Sequence, residues 1–463
     1  MPSERFRRQL RQEAQQWYAE GTIDAALYGE LARRYRFETL EEASRNRFAA
    51  LLFGLGGLLV GLAVITFVAA NWQAMPKALK VGLLLGATIA AEAAGFYLWR
   101  SAAGGWRYRL GQGLLLLGAL ALGANLALGS QLFHQSGPLY QLYAAWALGV
   151  AVMALGLRSA LLAATTTLLV WIAYGTANST EAIGLPLPSF ERGWVQYTPL
   201  LAAGGLVPLA HWCRSRWAFG LAAALVVFSL GVVLLAAVPN DPNALPSASA
   251  GMTALAFALP PALLWGYGGA GWEPRSLEAG AIVRRLAIIL LAGQFYTFSF
   301  RWVWADLPDR NFLMMGATAD PLPVGLNAAV LGGVALWGWW RLGRSGESGR
   351  VWWPDRASAA TGAAIAAAAA IPGIHSTHSI GIAATVAFNG LLLALALSLL
   401  NWGLTTARRS GFWGGMLLLV LQLTSRMLEY DTSLLLKAGG LLLCGAAILA
   451  AGLWFERRAI RPR

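Results

Sequence analysis

A chain of 463 residues in which 57% of side chains are hydrophobic and only 12% charged cannot clothe soluble cores of that size, because its charged share is about half the usual one. The net charge of +13 does not point to nucleic acid: the 35 Lys and Arg stand in small groups between apolar runs, with no basic stripe interleaved with aromatics. With 53 Gly and 21 Trp, the composition suits helices inside a bilayer and the indole belts at its two faces.

Residues 1–47 differ from the rest and hold 9 Lys and Arg and 8 Asp and Glu. Phe6, Leu10, Ala14 and Trp17 recur at three and four, Gly21 stands where a helix would end, and Ile23, Leu27, Leu31 and Tyr35 repeat the rhythm. The pattern predicts a short helical hairpin on the cytoplasmic side, which docks on its own membrane domain or on a protein partner. No secretory signal is read, since the first apolar run starts near Phe48, behind a charged segment too long to be its leading region.

A spanning helix needs roughly 20 apolar residues. On that length the sequence predicts spans near 48–70, 79–99, 111–133, 138–157, 159–178, 194–213, 217–238, 250–271, 283–302, 322–340, 357–374, 379–402, 411–428 and 434–455. Pro260 and Pro261 should kink or break the span 250–271. The Ala-rich span 357–374 ends at Pro372-Gly373, and 159–178 follows Arg158 almost without a loop, so the count lies between twelve and fourteen. With the N-terminus inside, 28 of the 35 basic residues fall on the cytoplasmic side, a bias that places both ends in the cytoplasm. The expected fold is therefore all-α: a polytopic transmembrane helical bundle of about 14 spans over residues 48–456, an N-terminal cytoplasmic hairpin over 1–47, and a basic tail over 457–463. Gly57 and Gly61, Gly82 and Gly86, and Gly411 and Gly415 are spaced by four, which lets helix backbones approach closely.

Some stretches carry a resemblance. The hairpin around Trp17, Gly21-Thr22-Ile23, Leu31 and Tyr35 leads to Arg47, then to a glycine-rich first span from Gly54 to Gly61 that ends Ala69-Ala70-Asn71-Trp72. Gln131-Leu132-Phe133-His134-Gln135-Ser136-Gly137 and Trp146 follow, and near the end stand Arg426-Met427-Leu428-Glu429-Tyr430 and Lys437-Ala438-Gly439-Gly440. In these residues the chain resembles the bacterial membrane-protein family known as domain of unknown function 2157, over roughly the first 150 residues and the last 50. The resemblance implies a polytopic protein of the bacterial cytoplasmic (inner) membrane with a short cytoplasmic hairpin, and it implies no activity.

Ionisable side chains inside spans cost ~2.5–3.5 kcal/mol on insertion scales and are retained where they face a bundle interior or a wet cavity. Glu92, among small residues in mid-span, reads either as a proton, cation or substrate contact or as a neutral carboxyl bonded to a neighbouring helix. Arg426, Glu429, Tyr430, Asp431 and Lys437 gather at the outer end of the last two spans, as a site for a charged headgroup or solute or as an ion-pair network closing the hairpin. His134 joins them on the outer side. His375 and His378 are three apart, but no carboxylate or Cys nearby completes a metal site, and Trp302 and Trp304 read as interfacial anchors. Cys213 and Cys444 read as buried apolar residues, and His211 as an interfacial one. Asn125, Gln294, Asn327, Asn389 and Gln422 read as interhelical hydrogen bonders.

No phosphate-binding loop, zinc-protease motif, nucleophile elbow or haem-ligating pair is visible, so the sequence calls for no cofactor, no metal and no named catalytic residue. Three readings follow. The first is a secondary transporter or flippase-like carrier of a small or lipid-linked solute. The second is a scaffold or sensor that docks a partner through its hairpin. The third is an enzyme acting on a lipid-linked substrate at the outer leaflet. Membrane lipids are expected partners in all three and nucleic acid in none.

Overall fold

The computed structural model describes residues 4–35, 70, 74–101, 105–132, 134, 137–182, 187–238, 246–268, 279–306, 319–344, 356–406, 409–429, 433–435, 437–442 and 445–446. All its regular elements are helices, and among the described residues there is no strand. The chain divides into two compact units, Met1–Leu83 and Leu84–Arg463.

In the first unit, α1 (Glu4–Ala19) and α2 (Ala25–Tyr35) fold back on each other. Gly21 takes φ +73°, a left-handed conformation that costs a glycine nothing, and the N–H of Thr22 closes the turn on the Trp17 carbonyl at 2.8 Å. Asp24 caps α2 by accepting from the Leu27 N–H at 2.8 Å. Ala14 is fully buried, with Leu10, Ile23, Tyr28 and Leu31 packed round it. Trp17, Tyr18 and Leu27 are exposed.

Among the described residues the membrane helices are, in order, α3 (Lys77–Ser101), α4 (Gly105–Leu132), α5 (Leu139–Leu157) and α6 (Ala160–Ala182). Next come α7 (Ser189–Leu201), a π turn (Ala202–Leu206) and α8 (Val207–Trp212), one continuous rod. There follow α9 (Arg216–Ala236), α10 (Pro246–Tyr267), α11 (Ala279–Phe298) and the short α12 (Arg301–Asp306). The bundle closes with α13 (Pro321–Arg344), α14 (Arg356–His375), α15 (Gly381–Thr405) and α16 (Arg409–Glu429). Eleven described helices are long and apolar enough to cross a membrane, so this is a multi-pass membrane protein. A twelfth expected span, 194–213, is the rod interrupted by the π turn. The expected spans 48–70 and most of 434–455 lie outside the described residues, as does the tail 457–463.

In lipid, helices gain little by hiding apolar surface from one another, so small residues and interhelical hydrogen bonds do the joining. A Cβ on Gly338 of α13 would fall 2.2 Å from the Gly266 carbonyl oxygen of α10, so these two backbones touch. Gly411 and Gly415 are likewise filled by α15, through Trp402 and the Ala396 carbonyl. Gly82 and Gly86, expected to pack in the same way, face no described neighbour. Indoles supply a second joint: Trp146 donates to the Ala119 carbonyl at 2.7 Å, Trp171 to Leu221 at 2.9 Å and Trp339 to Ala262 at 2.9 Å. Each uses the free lone pair of a carbonyl already in a helix ladder.

α10 is the hub and packs on α9, α11, α13 and α14. Of the kink or break expected at Pro260 and Pro261, the break does not occur, and the helix runs through both prolines. Pro261 has no N–H for the Phe257 carbonyl, and Gln294 of α11 donates to that carbonyl at 3.4 Å instead, so a neighbouring helix takes the place of the missing bond. Asn125, Asn327, Asn389 and Gln422 also bond across helices, as expected.

Candidate functional site

The polar group expected at the outer end forms a corner. α11 ends at Phe298, and the chain turns through Ser299 and Phe300 into α12. Arg426 of α16 reaches into this turn. Its Nη1 donates to the Ser299 carbonyl at 2.6 Å, its guanidinium lies over the Phe300 ring at 4.2 Å, and it pairs with Glu429 one turn on. The Glu429 carboxylate accepts from the Arg301 backbone N–H at 2.7 Å. A cation thus meets the carbonyl end of one helix and an anion the amide end of the next, the favourable arrangement for both. Asn389 adds a second donor to the Ser299 carbonyl at 2.9 Å, and Gln422 bonds the Asn389 carbonyl at 2.9 Å, so the polar chain continues inward with its members bonded to one another.

The other candidates lie apart. Glu92 of α3 rests over Gly118 of α4, where a Cβ would sit 2.1 Å from its Oε1. Toward the C-terminal end of α3 the two helices touch: Cβ atoms on Gly95 and Gly111 would fall 2.9 Å from Leu115 N and 2.5 Å from Trp99 N. One turn away, Asn125 donates to the Thr88 hydroxyl at 2.7 Å. Glu92 itself makes no hydrogen bond or ion pair with a described residue. The contacts of Glu92 and of Arg426 share no residue and no helix. His134 is exposed just past α4 with φ 53°, and Lys437 lies on a segment whose Gly440 abuts Met427. Tyr430, Asp431 and Cys444 lie outside the described residues.

His375 is spoken for at both ring nitrogens, since Nε2 donates to the Trp304 carbonyl at 3.0 Å and Nδ1 accepts from the Ile380 N–H at 3.2 Å. No group of three His, Cys, Asp or Glu among the described residues could hold a metal ion. Trp304 is 3% exposed, packed on Phe298 and Phe388, and is a core residue where an interfacial anchor was expected. Cys213 is buried, with its thiol 3.4 Å from the Ala154 carbonyl.

The feature that sequence reasoning missed is a cavity of about 460 Å³, walled by the π-turn rod, α9, α10, α11 and α13. Its volume lies within the ~300–1,000 Å³ usual for a small-molecule site. Ala203, Ala223, Val227, Leu263 and Leu331 typify its lining. Its polar side chains are His211 and Tyr267, where the ends of α8, α9, α10 and α11 meet. His211 Nδ1 donates to the Val207 carbonyl at 2.8 Å, which leaves Nε2 as an acceptor toward the Tyr267 hydroxyl 3.5 Å away. The cavity lies against the π turn, where Val207 donates five residues back to Ala202 and Pro208 cannot donate at all. The inserted residue turns the rod's face and displaces its side chains from the regular stripe.

Residues 15–163 match the model of the family described as "Predicted membrane protein (DUF2157)". The resemblance seen in the sequence is thus borne out over this stretch, which runs from the hairpin through α5 into α6. Glu92 and His134 lie inside the DUF2157 match, and the cavity and the Arg426 corner lie beyond it. No curated protein and no solved structure matches the chain. The signal for the cavity was present in the sequence as Gly204-Gly205 followed by Pro208 within one span, a place where a helix ladder can slip.

Proposed function

We propose that this chain is a flippase-like carrier of a lipidic solute, held in the cavity between the π-turn rod and helices α9, α10, α11 and α13. The observation that carries this reading is the cavity itself: about 460 Å³, apolar along its length and polar only at His211 and Tyr267. Carriers place their sites within the bundle beside discontinuous helices, and the π turn supplies irregular backbone here. We place the His211 end on the cytoplasmic side of a bacterial inner membrane, with both termini cytoplasmic. The basic residues Arg158, Arg214 and Arg284 lie at that end, as the charge count requires. Arg158 lies over Trp212 at 3.8 Å, and Arg284 stands beside Gly268.

The test is lipid retention. The protein extracted in mild detergent is expected to carry a stoichiometric lipid or lipid-linked solute by mass spectrometry, and Ala223→Phe, which fills the cavity, to lose it while folding normally. Equal retention in both proteins would remove the cavity from the function.

A second reading, a scaffold or sensor, is favoured by the hairpin. Residues 4–35 have their own small core and show Trp17, Tyr18 and Leu27 to solvent, a face suited to a cytoplasmic protein partner. Deleting the hairpin would then abolish function without unfolding the bundle.

A further inference from the structure

Glu92 shares no helix with the cavity, so a role for it stands independently of the carrier reading. We propose that Glu92 is a proton-binding site of the membrane domain: a carboxyl that carries an exchangeable proton in the hydrocarbon and is reached from the exposed flank of α3.

The position excludes a paired charge. Glu92 makes no hydrogen bond or ion pair with a described residue. The other titratable side chains of α3 and α4 are Lys77, Lys80, Tyr97, Arg100, Arg107, Tyr108 and Arg109, and the basic ones all stand near helix ends. Arg100, the nearest cation along α3, is eight residues on, about 12 Å at the rise of a helix. Arg109 of α4 stands nine residues before Gly118, about 14 Å. Tyr97 is five residues on, off the face that carries Glu92. The polar neighbours one turn away are committed elsewhere. The Thr88 hydroxyl donates to the Leu84 carbonyl at 2.8 Å, and Asn125 directs its amide N–H groups to Thr88 at 2.7 Å and to the Ala121 carbonyl at 2.9 Å. An ionised Glu92 would therefore have neither a cation nor a donor, and a carboxyl so placed in a bilayer keeps its proton.

The notch is open rather than sealed. The carboxyl rests over Gly118, where the absent side chain leaves it room, and Glu92 is half-exposed. Ala93 and Ala94 beside it, and Ile89 and Phe96 on the adjoining turns, are exposed. Of the described spans α3 is the least buried. A glutamate on such a flank can swing its carboxyl along the helix without displacing a neighbour, so proton exchange leaves the contacts at Gly95 and Gly111 intact.

The experiment uses the full chain in liposomes of zwitterionic lipid. Infrared difference spectra of the wild type against Glu92→Gln, taken in H2O and in D2O, are expected to show one protonated-carboxyl band that the variant lacks and that shifts in D2O. Dicyclohexylcarbodiimide, which dissolves in the bilayer, is then expected to label Glu92. The carboxyl proton passes to one carbodiimide nitrogen as the carboxyl oxygen bonds the central carbon. Transfer of the acyl group to nitrogen breaks its bond to that oxygen and leaves a stable acylurea, so the peptide gains the whole mass of the reagent and nothing departs. Labelling of Glu92 should be at least about tenfold faster than by a water-soluble carbodiimide, because the apolar reagent partitions into the hydrocarbon. Glu191, bonded to Tyr140 and Gln141, and Glu429, paired with Arg426, should stay unlabelled. Mass spectrometry locates the label in the wild type, so this arm does not depend on how the variant folds. No band lost in Glu92→Gln means an ionised Glu92, a band unmoved in D2O means a sealed one, and no label on Glu92 means no path from the flank. Each of these overturns the proposal and leaves the cavity reading untouched.

Discussion

Glu92 and Arg426 look alike in the sequence, each an ionisable side chain within an apolar run, and the structure gives them opposite surroundings. Arg426 is met by the Ser299 carbonyl, the Phe300 ring and the Glu429 carboxylate, and the pair it forms is only 16% and 11% exposed. Glu92 lies in a notch over Gly118 with no bonded partner among the described residues. The cost of placing a charge in the hydrocarbon is similar for both, so that cost does not distinguish a charge that holds the fold together from one left available. What distinguishes them is whether neighbouring helices present complementary groups. The cavity adds a third case, a site made mostly of residues with no chemistry to attract notice.

The largest effect should come from Arg426→Ala. It strands Glu429 and the Ser299 carbonyl and is expected to destabilise the bundle by ~3 kcal/mol, at the lower end for a broken buried pair because both partners keep some exposure. Unfolding in mixed micelles measures this, and Arg426→Lys, which keeps the charge but not the fork, should lose less. A loss below ~1 kcal/mol would erase the contrast with Glu92.

Next come the glycines of the α3–α4 contact. Gly111→Ala drives a methyl against the Trp99 backbone and should cost ~2 kcal/mol, as an overpacked contact does. Gly118→Ala meets only the end of the Glu92 side chain, which can swing aside, and should cost less than Gly111→Ala by the same assay. The reverse order would mean that Glu92 is held where it is. Smaller still, Gln294→Leu removes the donor to the Phe257 carbonyl freed by Pro261, worth ~0.6 kcal/mol for an interhelical bond in lipid.

The smallest effect on stability belongs to Glu92→Gln, expected within ~0.5 kcal/mol of wild type because no described partner is lost. Under the carrier reading the same variant abolishes or decouples transport in reconstituted vesicles. Full transport there would take Glu92 out of the mechanism.

Much of the architecture was legible in the sequence, because a bilayer demands a minimum apolar length of every span and basic residues gather in almost every second loop. Eleven spans, the hairpin turn at Gly21 and the interhelical roles of Asn125, Asn327, Asn389 and Gln422 all follow from local composition and position. The break allowed for at Pro260 and Pro261 is absent, because a local rule for breaking helices takes no account of a Gln294 on the next helix that can fill the missing bond. Trp304 misled for a like reason: an indole near a span end reads as an anchor until the packing buries it.

By itself, then, the sequence determined that this is an all-helical multi-pass membrane protein with a polar N-terminal hairpin, since those properties depend on runs of residues along the chain. Only the tertiary structure decided that Arg426 and Glu429 lock a helix corner, that Glu92 stands apart from them, and that a cavity lies against the π turn. The reason is physical. Each of these depends on which helices meet and at what height, and Gly338 against Gly266, His211 against Tyr267 and Arg426 against Ser299 are 72, 56 and 127 positions apart in the chain.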